Sequence, residues 1–472
     1  MPFTTETKQN SANLAALWQL AELPAPLLDM AELNGEAAIL PSSFALASAA
    51  QTTLAAASLA AVHLGQLRGA PAQRIQVDRE GAALSCTSHF TLDGQAPALW
   101  DPLSGLYPCG DPQGSAGWVR LHANFSHHRD GALRLLGLPT DGSSSRADVS
   151  QALLRHEALA FEQAAADAGL VVAALRSHAQ WQQHAQGRWL AEQPLLSWQR
   201  LDDAPPQAWP TWPAAARPLH GMRVLDLTRI LAGPIAGRLL AGHGADVLMV
   251  NSPQLPNIST IADLSQGKRS ALLDLRNDDD RAQMRQLVSG SQVLLQGYRP
   301  GALAGLGFAP AELAALCPGI VVASLSAYGD GGPWGERRGF DSLVQTATGF
   351  NLDEAQAFGS QQPKAFPVQL LDHAAGHLLA FGITVALARQ AQQGGSWHVR
   401  LSLAGVGQWL RGLGRVADGP QAVTPPVARW LEQTPSGFGR LETLRHPVHF
   451  SATPFAFDKP AMPPGSHPPR WH

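Results

Sequence analysis

In the second half of the chain, short apolar runs alternate with stretches of helical periodicity. From Leu219 the order is MRVLDLT, GPIAGRLLAGHG, ADVLMVNS, then ALLDL, DDRAQMRQLVSG, QVLLQGY, APAELAALC and GIVVASLSAYG. Continuous apolar runs of strand length, each followed by a helix-length segment, predict parallel strands covered by helices on both faces: a Rossmann-like, doubly wound α/β sheet. Ligands of such sheets bind beyond the carboxyl ends of the strands. A longer run, LLAFGITVALARQAQQ, follows Pro367–His377 (PVQLLDHAAGH). The spacing of Leu378, Leu379, Phe381, Ile383, Val385 and Leu387 predicts a buried helix with Asp372 at its entrance.

Phe44–Asp78 reads as a partial copy of that unit, with an Ala/Leu-rich helix, a Gly-containing turn and an alternating strand. Ala47 stands where the second copy has Asp372. An Asp before an apolar helix is most often an N-cap, yet the first copy forms its helix without the acid, so capping alone does not require it. Between the copies, a turn-rich entry (DPLSGLYPCGDPQGSAG) leads to a strand in GWVRLHANF. Helical patterns follow in HRDGALRLLGL, SRADVSQALLRHEALAFEQAAADAG and HAQWQQHAQGRWLAEQ, with VVAAL as a buried strand. The predicted organisation is a tail with short helices, AALWQLAEL and LLDMAEL (1–41), the partial repeat (42–84) of the unit at 366–404, and a smaller α/β domain (86–201). A linker (202–218), whose five prolines favour an extended run, leads to the large domain (219–412) and a Pro-rich C-terminal segment (413–472).

Composition narrows the function. With 45% apolar residues in 472, the chain can bury substantial cores. A net charge of -3 with no long basic run argues against nucleic acid. Cys86, Cys109 and Cys317 are too widely spaced for a disulfide framework or a CxxC metal site, which fits a reducing cytoplasm. The N-terminus has no signal-peptide pattern, and the Ala-rich run Leu54–Gly65 is too short to cross a bilayer, so no membrane partner is expected. His127-His128-Arg129-Asp130 lacks a second ligand cluster and reads as surface, and no metal is expected. His373 and His377 read as core or surface residues of their helix. GxGxxG, GxxxxGK[ST] and GxSxG are all missing, which disfavours nicotinamide, P-loop and hydrolase chemistry.

The candidate chemistry sits in the loops. Thr228–Pro234 places Ala232, Gly233 and Pro234 where a strand turns into a helix, allowing a ligand close to backbone N–H groups. Lys268 and Arg269, before one strand, and Arg299, after another, form two basic clusters at one end of the sheet, suited to a phosphate-bearing ligand. Asp372, at a helix N-terminus, is favoured as a carboxylate and can act as a nucleophile.

From Pro218 to about Leu410 the chain resembles the family III CoA-transferases, the CaiB/BaiF group related to α-methylacyl-CoA racemase. The resemblance rests on ordered blocks: LHGMRVLDLT, the AGP turn, GADVLMV, GKRSALLDL, RPGAL, ASLSAYGDGGP, RRGFDSLVQTATG and the Asp372 helix. It implies an enzyme in which Asp372 attacks an acyl-CoA thioester and CoA passes to a carboxylic acid through covalent aspartyl intermediates. Coenzyme A thioester is then a substrate, with no tightly bound cofactor. The resemblance also places Ala232, Gly233, Pro234, Lys268, Arg269 and Arg299 along CoA, puts Leu231, Phe340 and Asp341 in the substrate pocket, and implies a homodimer.

Some residues depart from the family pattern. Racemase relatives have His where this chain has Phe340, so two-base proton exchange is disfavoured. Leu231 and Asn251 replace a Gln and a Glu common in the family. The small-domain material precedes the large domain instead of following the Asp-bearing helix. A rearranged transferase is therefore expected, with an acyl-CoA-binding pseudoenzyme as the alternative should the small domain fail to close over the site.

Overall fold

The computed structural model describes residues 5–35, 38–110, 117–207 and 216–471. The expected linker falls partly on 208–215, and the turn-rich entry partly on 111–116, outside the described residues. A seven-stranded sheet organises the second half of the chain. Its order is Lys268–Leu272, Asp246–Asn251, Arg223–Leu227, Val293–Gln296, Val321–Ser326, Trp397–Ser402 and Leu196–Arg200. The first six run parallel, as the alternation of apolar runs and helices predicts, and the seventh is antiparallel. That seventh strand comes from the end of the smaller domain and was not predicted. LSWQR is short, and its Gln199 and Arg200 are exposed, as on an edge strand.

The chain moves outward from Arg223–Leu227 to one edge and then returns to Val293–Gln296 on the other side, so the strand order reverses between these two neighbours. A crevice opens beyond their carboxyl ends. The opposite edge strand, Lys268–Leu272, is covered by the C-terminal segment. There His467 N–H donates to the Ser270 carbonyl (2.8 Å), Ser270 N–H donates to His467 Nδ1 (3.1 Å), and Trp471 Nε1 donates to the Leu287 carbonyl (2.8 Å). These contacts keep the strand from offering an open edge.

The two segments read as a partial repeat share an order of elements. Helix Leu46–Leu67, strand Ile75–Asp78 and helix Arg79–Ser85 follow the same sequence of elements as helix Leu370–Gln393, strand Trp397–Ser402 and helix Leu403–Gly412. Both strands end in a capping side chain: Asp78 Oδ1 accepts from Gly81 N (2.9 Å) and Ser402 Oγ from Gly405 N (3.0 Å). The two long helices pack on each other, almost every residue buried, with Thr53 Oγ1 and His377 Nδ1 3.0 Å apart across the seam. Leu370–Gln393 is long and apolar enough to cross a membrane, but its most apolar window is wholly covered by protein. The repeat's strand does not enter the large sheet. It forms a separate three-stranded sheet between Ala31–Asn34 and Val448–Phe450. LLDMAEL is accordingly not an α-helix: Ala25–Met30 is a 3-10 turn that runs into strand Ala31–Asn34.

The smaller domain has its own core, with Tyr107, Val119, Leu121, Leu133, Val149, Leu153 and Phe161 packed under the antiparallel strands Gly105–Cys109, Gly117–Leu121 and Val172–Ala174. GLYPC was expected in a turn; instead Gly105, Tyr107 and Cys109 point inward at a spacing of two, and the segment is a strand.

Candidate active site

The turn after strand Arg223–Leu227 is shaped by a buried ion pair. Asp226 and Lys268 are both 0% exposed, with Lys268 Nζ 2.8 Å from Asp226 Oδ2. Asp226 Oδ1 accepts from Thr228 N (3.0 Å) and from the Thr228 hydroxyl, while Lys268 Nζ also donates to the Pro234 carbonyl (2.9 Å). Asn251, fully buried, donates to the Thr228 carbonyl (3.3 Å). Gly233 packs on Thr228 so closely that a Cβ there would lie 2.3 Å from Thr228 Cγ2. Together these contacts aim the N-terminus of helix Ala232–Gly242 into the crevice.

Asp372 meets that N-terminus. It is the third residue of its own helix, whose N-cap is Gln369 with no side-chain capping bond, so the capping account of Asp372 does not hold. Its carboxylate instead lies beside the Ala232 backbone amide, which favours the charged form. Its own amide donates to Asp341 Oδ2 (3.0 Å), and Asp341, 0% exposed, also accepts from Gln345 Nε2. Burial pushes the Asp372 carboxyl well above the usual carboxylate range, and the charge of Asp341 adds to the rise, against the opposing Ala232 amide. Asp341 is raised too, chiefly by burial, with the Asp372 amide and Gln345 opposing. The next residue on the helix, His373, is a core residue. Its Nε2 lies 3.0 Å from Ser88 Oγ, and burial holds both His373 and His377 well below the ordinary histidine value, hence neutral.

The two helices touch at Gly376. A Cβ there would lie 2.6 Å from Ile235 Cγ2 and 2.7 Å from the Ala232 carbonyl oxygen. Gly376→Ala is therefore expected to push the helices apart, costing about 1–3 kcal/mol of stability and moving the Ala232 amide away from Asp372. A lowered melting temperature together with reduced kcat checks this; an unchanged melt would contradict the contact.

Around Asp372 lies a cavity of about 290 Å³, walled by Thr228–Pro234, Gly297–Pro300, Arg337–Phe340, Leu403 and, from the smaller domain, Phe125, His127 and His128. Leu231, Ala232, Gly233, Pro234, Arg299, Phe340 and Asp372 all line this one cavity, while Asp341 lies beneath it and holds the Asp372 amide. Lys268 and Arg269 are elsewhere, which corrects their expected place beside the ligand. KRSAL is itself the strand rather than a loop before it, so Lys268 points inward to Asp226. Arg269 pairs with Asp246 (2.7 Å) and donates to the Arg470 carbonyl (2.6 Å), its guanidinium 5.3 Å from the Trp471 ring centroid.

Residues that sequence reasoning passed over complete the wall. Arg229, Arg337 and Arg338 join Arg299, and Asp372 is the only carboxylate among the described lining residues. Arg337 is engaged by Glu162 (3.8 Å), whereas Arg299 has, among the described residues, only Glu336 as an acidic neighbour, at 4.0 Å. Of the His127-His128 pair, His127 is exposed as expected, but His128 is buried, and both residues line the cavity. The one signal in the sequence was its place, just beyond the carboxyl end of a strand. The smaller domain docks by stacking His122 on Phe340 (centroids 4.2 Å apart, planes 21° apart) and by accepting hydrogen bonds from Arg337 and Arg338 at the Glu162 and Gly169 carbonyls (3.3 Å each). The domain that comes first in the chain therefore supplies part of the wall of the site built by the second. The described residues contain no cluster of three or more His, Cys, Asp or Glu able to hold a metal.

Residues 219–417 match the family described as CoA-transferase family III. An acyl-CoA transferase of Gibberella moniliformis is 32% identical over 315 residues, 64% of this chain and 55% of that protein. A probable fatty acyl-CoA transferase, Rv3272, of Mycobacterium tuberculosis is 33% identical over 235 residues, 45% of this chain and 59% of that protein. Among solved structures, a CAIB/BAIF family protein from Brucella suis is 25% identical with a TM-score of 0.38, covering 48% of this chain and 65% of that one. The chain spans about half the length of the curated relatives it matches.

Proposed function

With residues 219–417 matching CoA-transferase family III, we propose that the protein moves CoA between an acyl-CoA donor and a carboxylic acid through covalent intermediates on Asp372. The observation that carries this reading is a half-buried carboxylate beside a helix N-terminal amide, the only carboxylate among the described residues lining an arginine-walled cavity. Asp372 adds to the thioester carbonyl, the C–S bond breaks, and CoA leaves as the thiolate. The thiolate attacks the aspartyl carbonyl of the mixed anhydride, which releases the donor acid as its carboxylate and leaves an aspartyl-CoA thioester. The acceptor carboxylate attacks that thioester, and the thiolate, freed again, takes the acceptor acyl group and regenerates Asp372.

The Ala232 amide is placed to stabilise charge that develops on the aspartyl group. Leu231, Phe340, Phe125 and Leu403 keep water from the anhydride. Arg299 and Arg338, exposed at the rim, suit the phosphates of CoA. The reading further takes the protein to act in the cytoplasm as a homodimer, which cell fractionation and solution mass check.

The test is incubation with a panel of acyl-CoA esters, quenching with hydroxylamine or borohydride, and peptide mass spectrometry. Modification at Asp372, with CoA appearing on an added acid, is the expected result. Binding of acyl-CoA with neither adduct nor exchange across the panel would establish the pseudoenzyme alternative instead.

A further inference from the structure

We propose that Gln186, in the smaller domain, is a positioning residue: it fixes the glycine loop 328–335 of the large domain so that Arg337 and Arg338 stand at the wall of the Asp372 cavity and hold the phosphates of CoA. This rests on the transferase reading and adds to it the element that sets affinity for the CoA donor.

The first ground is the loop. Residues 329–335, GDGGPWG, include four glycines, a composition with many accessible conformations and a high entropic cost of settling into one. Ser326 and Ala327 on one flank, and Arg337, Arg338 and Phe340 on the other, line the cavity. Whatever fixes the loop therefore fixes that wall.

The second is the match between the loop and one side chain. Gln186 lies on helix Ala185–Ala191 and is 0% exposed. Its Nε2 donates to the Tyr328 and Gly331 carbonyls (2.9 Å each), and its Oε1 accepts from the Trp334 amide (2.7 Å). A carboxamide offers two N–H donors and an acceptor on one planar group; a carboxylate or an apolar side chain of that length cannot make all three bonds. On the same helix Trp189 forms a floor, since a Cβ on Gly329 or Gly331 would lie 2.3 or 2.7 Å from its ring atoms. The glycines are what let the loop lie against the helix.

The third is the link from loop to arginine. Trp334 meets Tyr328 edge-on (centroids 4.8 Å apart) and carries the Arg337 guanidinium over its ring, 4.1 Å from the centroid. Arg338 follows directly in the chain. The nucleophile and its neighbouring amide stand on other elements, helices Leu370–Gln393 and Ala232–Gly242. Loosening the loop should therefore weaken the hold on CoA more than it slows the chemistry. Gln186 also lies outside the segment 219–417 that matches the family, so this support comes from the domain placed ahead of it.

The test is Gln186→Met in the full chain, which keeps the length of the side chain and loses all three bonds. Binding of CoA, and of pantetheine, which lacks the nucleotide and its phosphates, is measured by ligand-observed NMR titration. The variant is expected to bind CoA about tenfold more weakly and pantetheine within about threefold of wild type. With the acyl-CoA donor that exchanges best, KM should rise about tenfold while kcat stays within about threefold. Unchanged CoA binding in a folded variant, equal weakening of both ligands, or a loss confined to kcat overturns the inference.

Gln186→Glu keeps an acceptor for the Trp334 amide and replaces both N–H donors. It should show the same selective loss, and it serves if the methionine variant does not fold. A selective loss of CoA binding in either variant, with no exchange from any donor in wild type, would count against the transferase reading and leave the role of Gln186 standing.

Discussion

Asp372→Asn is expected to abolish CoA exchange, by a factor of about a thousand or more, and to raise the melting temperature of the protein. The first effect follows from chemistry. Asparagine keeps the shape and an oxygen that can accept from the Ala232 amide, but it lacks the anionic oxygen that would attack a thioester.

The second follows from the environment of the carboxyl. Burial and the neighbouring Asp341 raise its pKa in the folded protein above the unfolded value. At low pH both states are protonated and the group costs the fold nothing. As pH rises past the unfolded value, the unfolded chain ionises first, so stability falls until the folded pKa is passed. The asparagine variant escapes that penalty, so its gain, on the order of 1–2 kcal/mol, should be greatest near neutral or alkaline pH and shrink toward about pH 4. Wild-type exchange should in turn fall with acidification through the raised pKa, because the attacking group must be ionised. Thermal melts and exchange rates across pH check both halves. A variant that is active, or less stable at every pH, would remove the basis for treating Asp372 as the reacting group.

Lys268→Met should be the most damaging single change to the fold outside the two site helices. It strands the carboxylate of Asp226, 0% exposed, without its partner, at a cost of about 3–5 kcal/mol. It also releases the Pro234 carbonyl and with it the AGP turn. Replacing the pair together, Lys268→Met with Asp226→Leu, should restore most of the loss, since a buried pair often does no better than apolar residues of similar volume. Denaturant melts of the single and double variants test this. If Lys268 instead contacted CoA, the single variant would remain stable and show a raised KM for acyl-CoA, which is the result that would reverse the structural assignment.

The two lysine and arginine residues illustrate where sequence reading reaches its limit. A basic pair before an apolar run looks the same whether it lies in a loop facing a ligand or forms the first turn-in of a strand. Only the strand's phase, with Lys268 inward to Asp226 and Arg269 across to Asp246, separates the two, and that phase depends on partners 42 and 23 residues away. Arg299 belongs to the opposite case: Gly297–Pro300 follows its strand and lines the cavity as a strand-to-helix loop at a switch point should. Asp372 was legible because the chain carries its own comparison, a similar helix that folds with Ala47 in that place.

What the sequence determined alone was local and periodic: the alternation that makes a parallel sheet, the apolar length that buries the Asp372 helix, the repeated helix–strand unit, and the loops at which the sheet would hold a ligand. Tertiary structure decided which distant segments meet. The expected Asp372 cap became a contact with another helix's amide, an exposed histidine pair became part of a cavity wall, and a domain ahead in the chain came to wall a site built behind it. Periodicity is encoded within a few residues and survives in any reading of the chain. Pairing across hundreds of residues depends on shape and burial, which exist only once the chain has packed.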